Sequence, residues 1–180
     1  MYIKSENKVF YVYLLSAMTK IGVLSDTHGY VYPSLKDHFS GCDEIWHAGD
    51  VGDLSVIKCL TSFGKTIRGV YGNIDGPDIR ERFGEKCVFM CEGVKVLMVH
   101  IGGYPPKYNK RSLKMLEDDK PQLMITGHSH ILKILFDERL NCLHINPGAA
   151  GKQGWQKFST IVLMTIDGMN MRDCRVIELK

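Results

Sequence analysis

The chain has no dense run of one charge. Its 23 Lys and Arg are spread among 20 Asp and Glu, for a formal net charge of +3 over 180 residues. No electrostatic footprint therefore marks nucleic acid as an obligatory partner. Long apolar runs are missing as well: the best candidate, Val9 to Ala17, is too short to span a bilayer, and nothing further along could cross one. The six cysteines, at 42, 59, 87, 91, 142 and 174, form no CxxC pair. That argues against a zinc ribbon or a small secreted disulfide framework and fits reduced thiols in a cytoplasmic protein. Repeats, low-complexity segments and linkers are lacking too, which at this length leaves one compact domain with its own core.

The start, MYIKSENKVFYVYLLSAM, has two lysines before its apolar stretch, but its polar opening is long, three aromatic residues crowd the middle and no small-x-small cleavage site follows. Residues 1–17 are read as an upstream extension, with Met18 as the natural start, or as an extra strand, followed by a single domain over 18–180.

From Lys20 onward the apolar pattern is short and punctuated. KIGVLSD, DEIWHAGD and TIRGVYGN read as buried strands, with helices predicted near Pro33 to Phe39 and Asp53 to Phe63. This βαβαβ opening favours a parallel sheet. KCVFMCEGVKVLMVH then reads as a hairpin around Glu92-Gly93, and KYNKRSLKMLEDDK as a helix ended by Pro121. QLMITG, ILKILFD, CLHINPG and a closing pair around Asp167-Gly168 are further strands. A parallel start and an antiparallel finish predict an α/β protein with two mixed sheets packed together and helices outside.

What the chain does have is a series of metal-binding residue types at strand ends. Asp26 and His28 follow KIGVLS, Asp50 follows DEIWHAG, Asn73 follows TIRGVYG, His100 follows VKVLMV, and His128 and His130 end or follow QLMITG. In α/β sheets that edge is where sites are built, because the strand fixes the side chain and the loop leaves room for a ligand. Gly49, Gly72 and Gly127 each precede a proposed ligand, which suits a tightly turning backbone. His128 and His130 are two apart, so on a strand both rings would reach one point. Singly, Asp26 and Asp50 read as Asx-turns or helix caps, Asn73 as turn chemistry and His100 as a satisfied polar residue. Together they make a carboxylate, carboxamide and imidazole set without cysteine, suited to Mn, Fe, Zn or Co. Seven ligands exceed one tetrahedral ion. They suit two ions sharing a carboxylate, roughly 3.5 to 4 Å apart, which clamp an in-line displacement at phosphorus.

The ordered motifs DTHG, GDVGD, GNID, VH and GHSH resemble the calcineurin-like metallophosphoesterase superfamily, in its small single-domain bacterial and archaeal phosphodiesterase branch. The resemblance covers nearly everything from Thr19 onward and implies a four-layer αββα sandwich. It implies two divalent ions per chain, Mn first and Fe, Zn, Co or Ni as substitutes. One would be held by Asp26, His28, Asp50 and His130, the other by Asp50, Asn73, His100 and His128, with Asp50 bridging. Asp50, Asn73, His100 and His128 would be the residues nearest the chemistry, a metal-activated hydroxide attacking phosphorus.

Outside that set, Asp75 is expected to orient an imidazole or to serve as a cap or turn, and His47 to steady the Asp50 loop as a hydrogen-bonded structural residue. His38 and His144 read as structural, Cys59, Cys87 and Cys91 as core, and Asn146-Pro147-Gly148 as a turn that the resemblance puts near the ions. Two departures stand out. Many relatives place a His directly after the Asn; here it is Ile74, which removes an imidazole acid and weakens the case for unactivated monoesters. IGGYPPKY after His100 is a second, with Tyr104, Lys107 and Tyr108 as candidate substrate contacts or an ordinary solvent loop. The expected substrate is a small or nucleotide-like phosphodiester; no membrane partner is expected, and a homo-oligomer is admitted. The rival is a protein-binding scaffold of the same fold, similar to the small retromer subunit; a nuclease would want a basic groove this chain lacks.

Overall fold

The computed structural model describes residues 2–5, 8–11 and 18–180, with side chains from 18 onward. β1 (Tyr2–Ser5) and β2 (Lys8–Tyr11) pair antiparallel as a two-stranded sheet of their own. The reading of residues 1–17 as an extension otherwise lies outside the described residues.

From there the chain runs through β3 (Met18–Leu24), a helical turn α1 (Leu35–His38), β4 (Glu44–His47), α2 (Leu54–Thr61), β5 (Thr66–Gly69) and α3 (Pro77–Arg82). The hairpin β6 (Lys86–Cys91) and β7 (Val94–Val99) follows, then a two-residue ladder β8 (Gly103–Tyr104) with β9 (Lys107–Tyr108), and α4 (Lys110–Asp119). The chain closes with β10 (Leu123–Ile125), β11 (Lys133–Asp137), β12 (Cys142–Asn146), β13 (Ser159–Asp167) and β14 (Asn170–Leu179). α2 starts where Asp53 accepts the Ser55 N–H at 2.7 Å, and Val56, Ile57 and Leu60 form its buried stripe. Asn109 caps α4 in the same way on Ser112.

Two mixed five-stranded sheets result, ordered β14-β13-β3-β4-β5 and β11-β12-β10-β7-β6. β3, β4 and β5 are parallel, as are β12, β10 and β7. Facing residues such as Val23, Trp46, Val96, Met98, Ile125 and Ile145 fill the space between the sheets. A second core packs α1, α2 and α3 on the first sheet through Leu35, Phe39, Ile57, Leu60 and Ile79. A third packs α4 on the other through Leu116, Leu97 and Met124. These are the four layers of the αββα sandwich.

One expectation needs correction, and two features go beyond what the residues announce. The helix expected over Pro33 to Phe39 is a single turn. α3 is a short helix that no pattern above placed: proline fits its first helical position, where the missing N–H costs nothing. The antiparallel finish joins the parallel start in one mixed sheet, because β13 pairs with β3 (Val162 against Val23), in keeping with the two mixed sheets expected.

Candidate metal centre

All seven proposed ligands lie beyond the C-terminal ends of β3, β4, β5, β7 and β10. Asp26, His28 and His130 form one group of donor atoms and Asp50, His100 and His128 another, the atoms of each lying within 4.8 Å of one another. His130 Nε2 is 3.3 Å from Asp26 Oδ1 and 3.1 Å from His28 Nε2. His100 Nε2 is 3.2 Å from Asp50 Oδ1. The groups adjoin: His100 Nε2 is 3.9 Å from Asp26 Oδ1, and His28 Nε2 is 3.9 Å from Asp50 Oδ2. Asn73 is exposed at the rim beside His100, while the N–H of its neighbour Ile74 donates to Asp50 Oδ1 at 3.1 Å.

The loops that carry these residues are tied to each other. The Asp26 N–H donates to Gly49 O, that of His28 to Asp50 O and that of Gly127 to His100 O. The His128 N–H donates to the Asp26 carboxylate at 3.1 Å. Asp26, His28, Asp50, His128 and His130 all have positive φ, between 48° and 68°. Such backbone costs a non-glycine residue about 1–2 kcal/mol and gathers at functional sites. His128 and His130 therefore do not act as strand neighbours: both lie past β10, and each ring goes to a different group. At Gly49, φ is +94°, and a Cβ would strike the His100 ring; at Gly72 it would strike the Asp50 carboxylate. Only glycine lets the loops close this far.

The protons on the imidazoles can be placed. His100 Nδ1 lies 2.8 Å from the Ala48 carbonyl, which only accepts, so that nitrogen carries the hydrogen. In the neutral ring His100 Nε2 is then a lone pair, 3 % exposed and without a hydrogen-bond partner, 3.2 Å from Asp50 Oδ1. At His130 the partner is Gln156, whose Nε2 donates to Gly151 O and Gln153 O at 3.1 and 2.8 Å and so turns Oε1 toward His130 Nδ1 at 3.1 Å. Acceptors facing acceptors in a buried space are satisfied by a positive charge between them, a proton on the ring or a metal ion. The potential points the same way: the Asp26 carboxylate raises the His130 pKa, and at His100 burial opposes the charge but Asp50 and Asp26 outweigh it. The donor set therefore suits divalent cations, with a place at each group.

His47 and Asp75 support the Asp50 loop. The Gly49 N–H donates to His47 Nδ1 at 3.2 Å, so Nε2 carries the proton and donates to Thr27 Oγ1 at 3.0 Å, which donates onward to Val51 O. Burial lowers the His47 pKa to about 4 and keeps the ring neutral. Asp75 does not orient an imidazole by contact: its carboxylate accepts the N–H groups of Val51, Gly52 and Gly72 at 3.2, 2.7 and 2.7 Å, bracing one loop against the next. Asn146 clamps the GHSH loop, donating to Gly127 O at 2.8 Å and Ser129 Oγ at 3.1 Å. Tyr108 is not at the mouth: its ring packs in the α4 core and burial pushes its phenol up. Sequence reasoning missed Gln156 and Thr27, whose contacts depend on loops meeting across the sheet edge.

Among the described residues no helix is long and apolar enough to cross a membrane. The profile of the calcineurin-like phosphoesterase superfamily domain matches residues 19–169. A probable metallophosphoesterase of Methanocaldococcus jannaschii is 29% identical over 143 residues, 76% of this chain and 71% of that one. Among solved structures, Chaetomium thermophilum Vps29 superposes with a TM-score of 0.72 at 15% identity, covering 89% of this chain and 97% of that one. A structure described as a novel archaeal phosphodiesterase gives 0.65 at 24% identity, covering 89% and 99%. The fold is shared with both, and the profile runs from β3 past the end of β13, through every strand end that carries a donor; the chain belongs to the calcineurin-like phosphoesterase superfamily.

Proposed function

We propose that the chain is a dinuclear, manganese-preferring phosphodiesterase of the cytoplasm, hydrolysing a small or nucleotide-like diester with Asp50 shared between the two ions. The observation that carries this reading is the buried His100 Nε2, which has no hydrogen-bond partner and faces carboxylate oxygens beside a second group of candidate ligands. A pair of divalent ions, when bound, supplies Lewis acidity, which lowers the pKa of water toward neutrality and offsets charge building on phosphoryl oxygens. The chain's own residues do the rest. Ala48 O and Gln156 hold the protons of His100 and His130 on Nδ1, so Nε2 of each faces the site as a donor of electrons. Asp26, Asp50 and Asn73 supply oxygen. Ile74, 47 % exposed where an imidazole acid could stand, has no proton to give a leaving alkoxide. Diesters with acidic leaving groups are therefore the better substrates.

A scaffold reading draws on the exposed apolar side chains beside the ligands, Ile101, Ile131 and Trp155, the last fully exposed. It is separated from the enzyme by elemental analysis of the purified protein and by turnover of an aryl phosphodiester and its monoester, before chelation, after it, and after Mn is returned. The enzyme takes up two ions per chain, loses activity on chelation, regains it with Mn and hydrolyses the diester faster. Asp50→Ala folds and loses turnover by roughly a thousandfold. No ion uptake, or a faster monoester, overturns the proposal.

A further inference from the structure

Beside the second donor group a pocket of about 440 Å³ opens directly onto the site, with Asn73 and His100 in its wall. That volume accommodates a nucleoside-sized group. Its apolar lining comes from Tyr71, Val99, Ile101 and Met115, and its charge from Arg80, Glu85 and Arg111. Two of the three charges cancel. Both guanidinium Nη atoms of Arg111 hold both oxygens of Glu85, and this pairing, with a smaller contribution from Arg80, keeps the Glu85 carboxyl below its usual range.

Arg80 makes no ion pair among the described residues. Its guanidinium lies over the Tyr71 ring, 4.2 Å from the centroid, with Nε donating to Asp75 O at 2.7 Å and Nη2 to Gly72 O at 3.3 Å. Stacked on one face and held along one edge, the planar cation is fixed before any ligand arrives, and its Nη1 edge has no hydrogen bond among the described residues. The pocket thus combines aromatic and aliphatic walls with one surplus, preoriented positive charge, next to the place where a phosphodiester would react.

We propose that this pocket is a substrate subsite, and that it takes a ring-bearing, nucleoside-sized substituent of the diester carrying a second anionic group, a phosphate or a carboxylate, which Arg80 receives. The reaction part of the inference rests on the phosphodiesterase reading; the binding part does not. A charge-assisted contact of this kind is worth about tenfold in affinity or more.

Two measurements test it. In the first, metal-free protein is titrated with thymidine, thymidine 3′-phosphate, benzoate and benzyl alcohol while the Met115 methyl resonance is followed. The anions shift that resonance and bind about tenfold more tightly than their neutral counterparts in the wild type. In Arg80→Gln that advantage disappears, and in Arg80→Lys part of it returns; the phosphate and carboxylate arms show which anion the site prefers. An anion advantage unchanged in Arg80→Gln, or shifts that leave Met115 untouched, overturns the subsite. In the second, kcat/KM is compared for the p-nitrophenyl ester of thymidine 5′-phosphate with and without a 3′-phosphate. The ratio, about tenfold in the wild type, falls to near one in Arg80→Gln. Using the ratio removes any general effect of Arg80 on the loops it braces. Turnover with an unchanged ratio defeats the subsite alone. Arg80-dependent anion binding without any turnover defeats the enzyme and leaves the subsite standing.

Discussion

The two donor groups differ in what holds their imidazoles. In the group of Asp50, His100 and His128, the His100 proton is fixed by a main-chain carbonyl, and the ring is buried. In the group of Asp26, His28 and His130, the His130 proton is fixed by the side chain of Gln156, on a surface loop between β12 and β13, and the ring is partly open. His100 is built into the fold, although His128 of its group is exposed; His130 depends on a replaceable contact. The lesson is that adjoining metal positions on one sheet edge need not bind with equal strength, and that the weaker can be altered without touching a ligand.

The sharpest way to break the comparison is at the carboxylates, because each faces its own group at about 3.2 to 3.3 Å and the other at 3.9 Å. If Asp50 is the shared ligand, Asp50→Asn loses both ions in equilibrium dialysis and turnover by roughly a thousandfold. Asp26→Asn then retains one ion, at Asp50, His100 and His128. The opposite pattern would make Asp26 the bridge.

A smaller effect is expected from Gln156→Leu, which frees the His130 ring to rotate or change tautomer. Metal affinity at that group falls by about 10- to 100-fold, and the other group keeps its ion. Calorimetric titration of the stripped protein checks this; equal weakening of both would show that the two positions are one coupled unit.

The smallest effect lies outside the ligands. His47 and His144 are fully buried, and burial lowers both to about 4. The unfolded chain takes up protons on these rings near 6.5, whereas the folded chain refuses them until about 4, so stability falls as pH drops through that window. The raised pKa values of His100 and His130 act above it, where folded protein binds the extra protons. Each buried ring contributes a slope of at most about 1.4 kcal/mol per pH unit. His144→Asn removes one of them, and urea unfolding of metal-free protein between pH 6.5 and 4 should show the flatter curve. An unchanged slope would mean that His144 protonates freely in the fold.

Much of this arrangement is legible in the sequence, for definable reasons. Strands β3, β4, β7 and β10 are short apolar runs ending in a donor residue, and the caps at Asp53 and Asn109 are local signals that need no tertiary context. What was illegible is non-local. β13 returns to β3 across more than a hundred residues, and no feature of STIVLMTID names its partner. Gln156 reaches His130 over 26 positions from a loop without periodicity. Asp75 looked like a partner for a ring because its spacing from Asn73 says nothing about which N–H groups the neighbouring loop presents. Arg80 lies on a six-residue helix too short to announce itself.

The left-handed backbone at Asp26, His28, Asp50, His128 and His130 has a bearing on how such a protein could change over time. Glycine would adopt every one of those conformations at less cost, so each ligand is also a position where losing the side chain relaxes the chain. A lineage no longer selected for these side chains would relieve that strain, but at Asp26 and Asp50 it would also lose the carboxylates that accept the His128 and Ile74 N–H groups. The rim thus stores strain at the same positions that carry its donor atoms, and the two are inherited together.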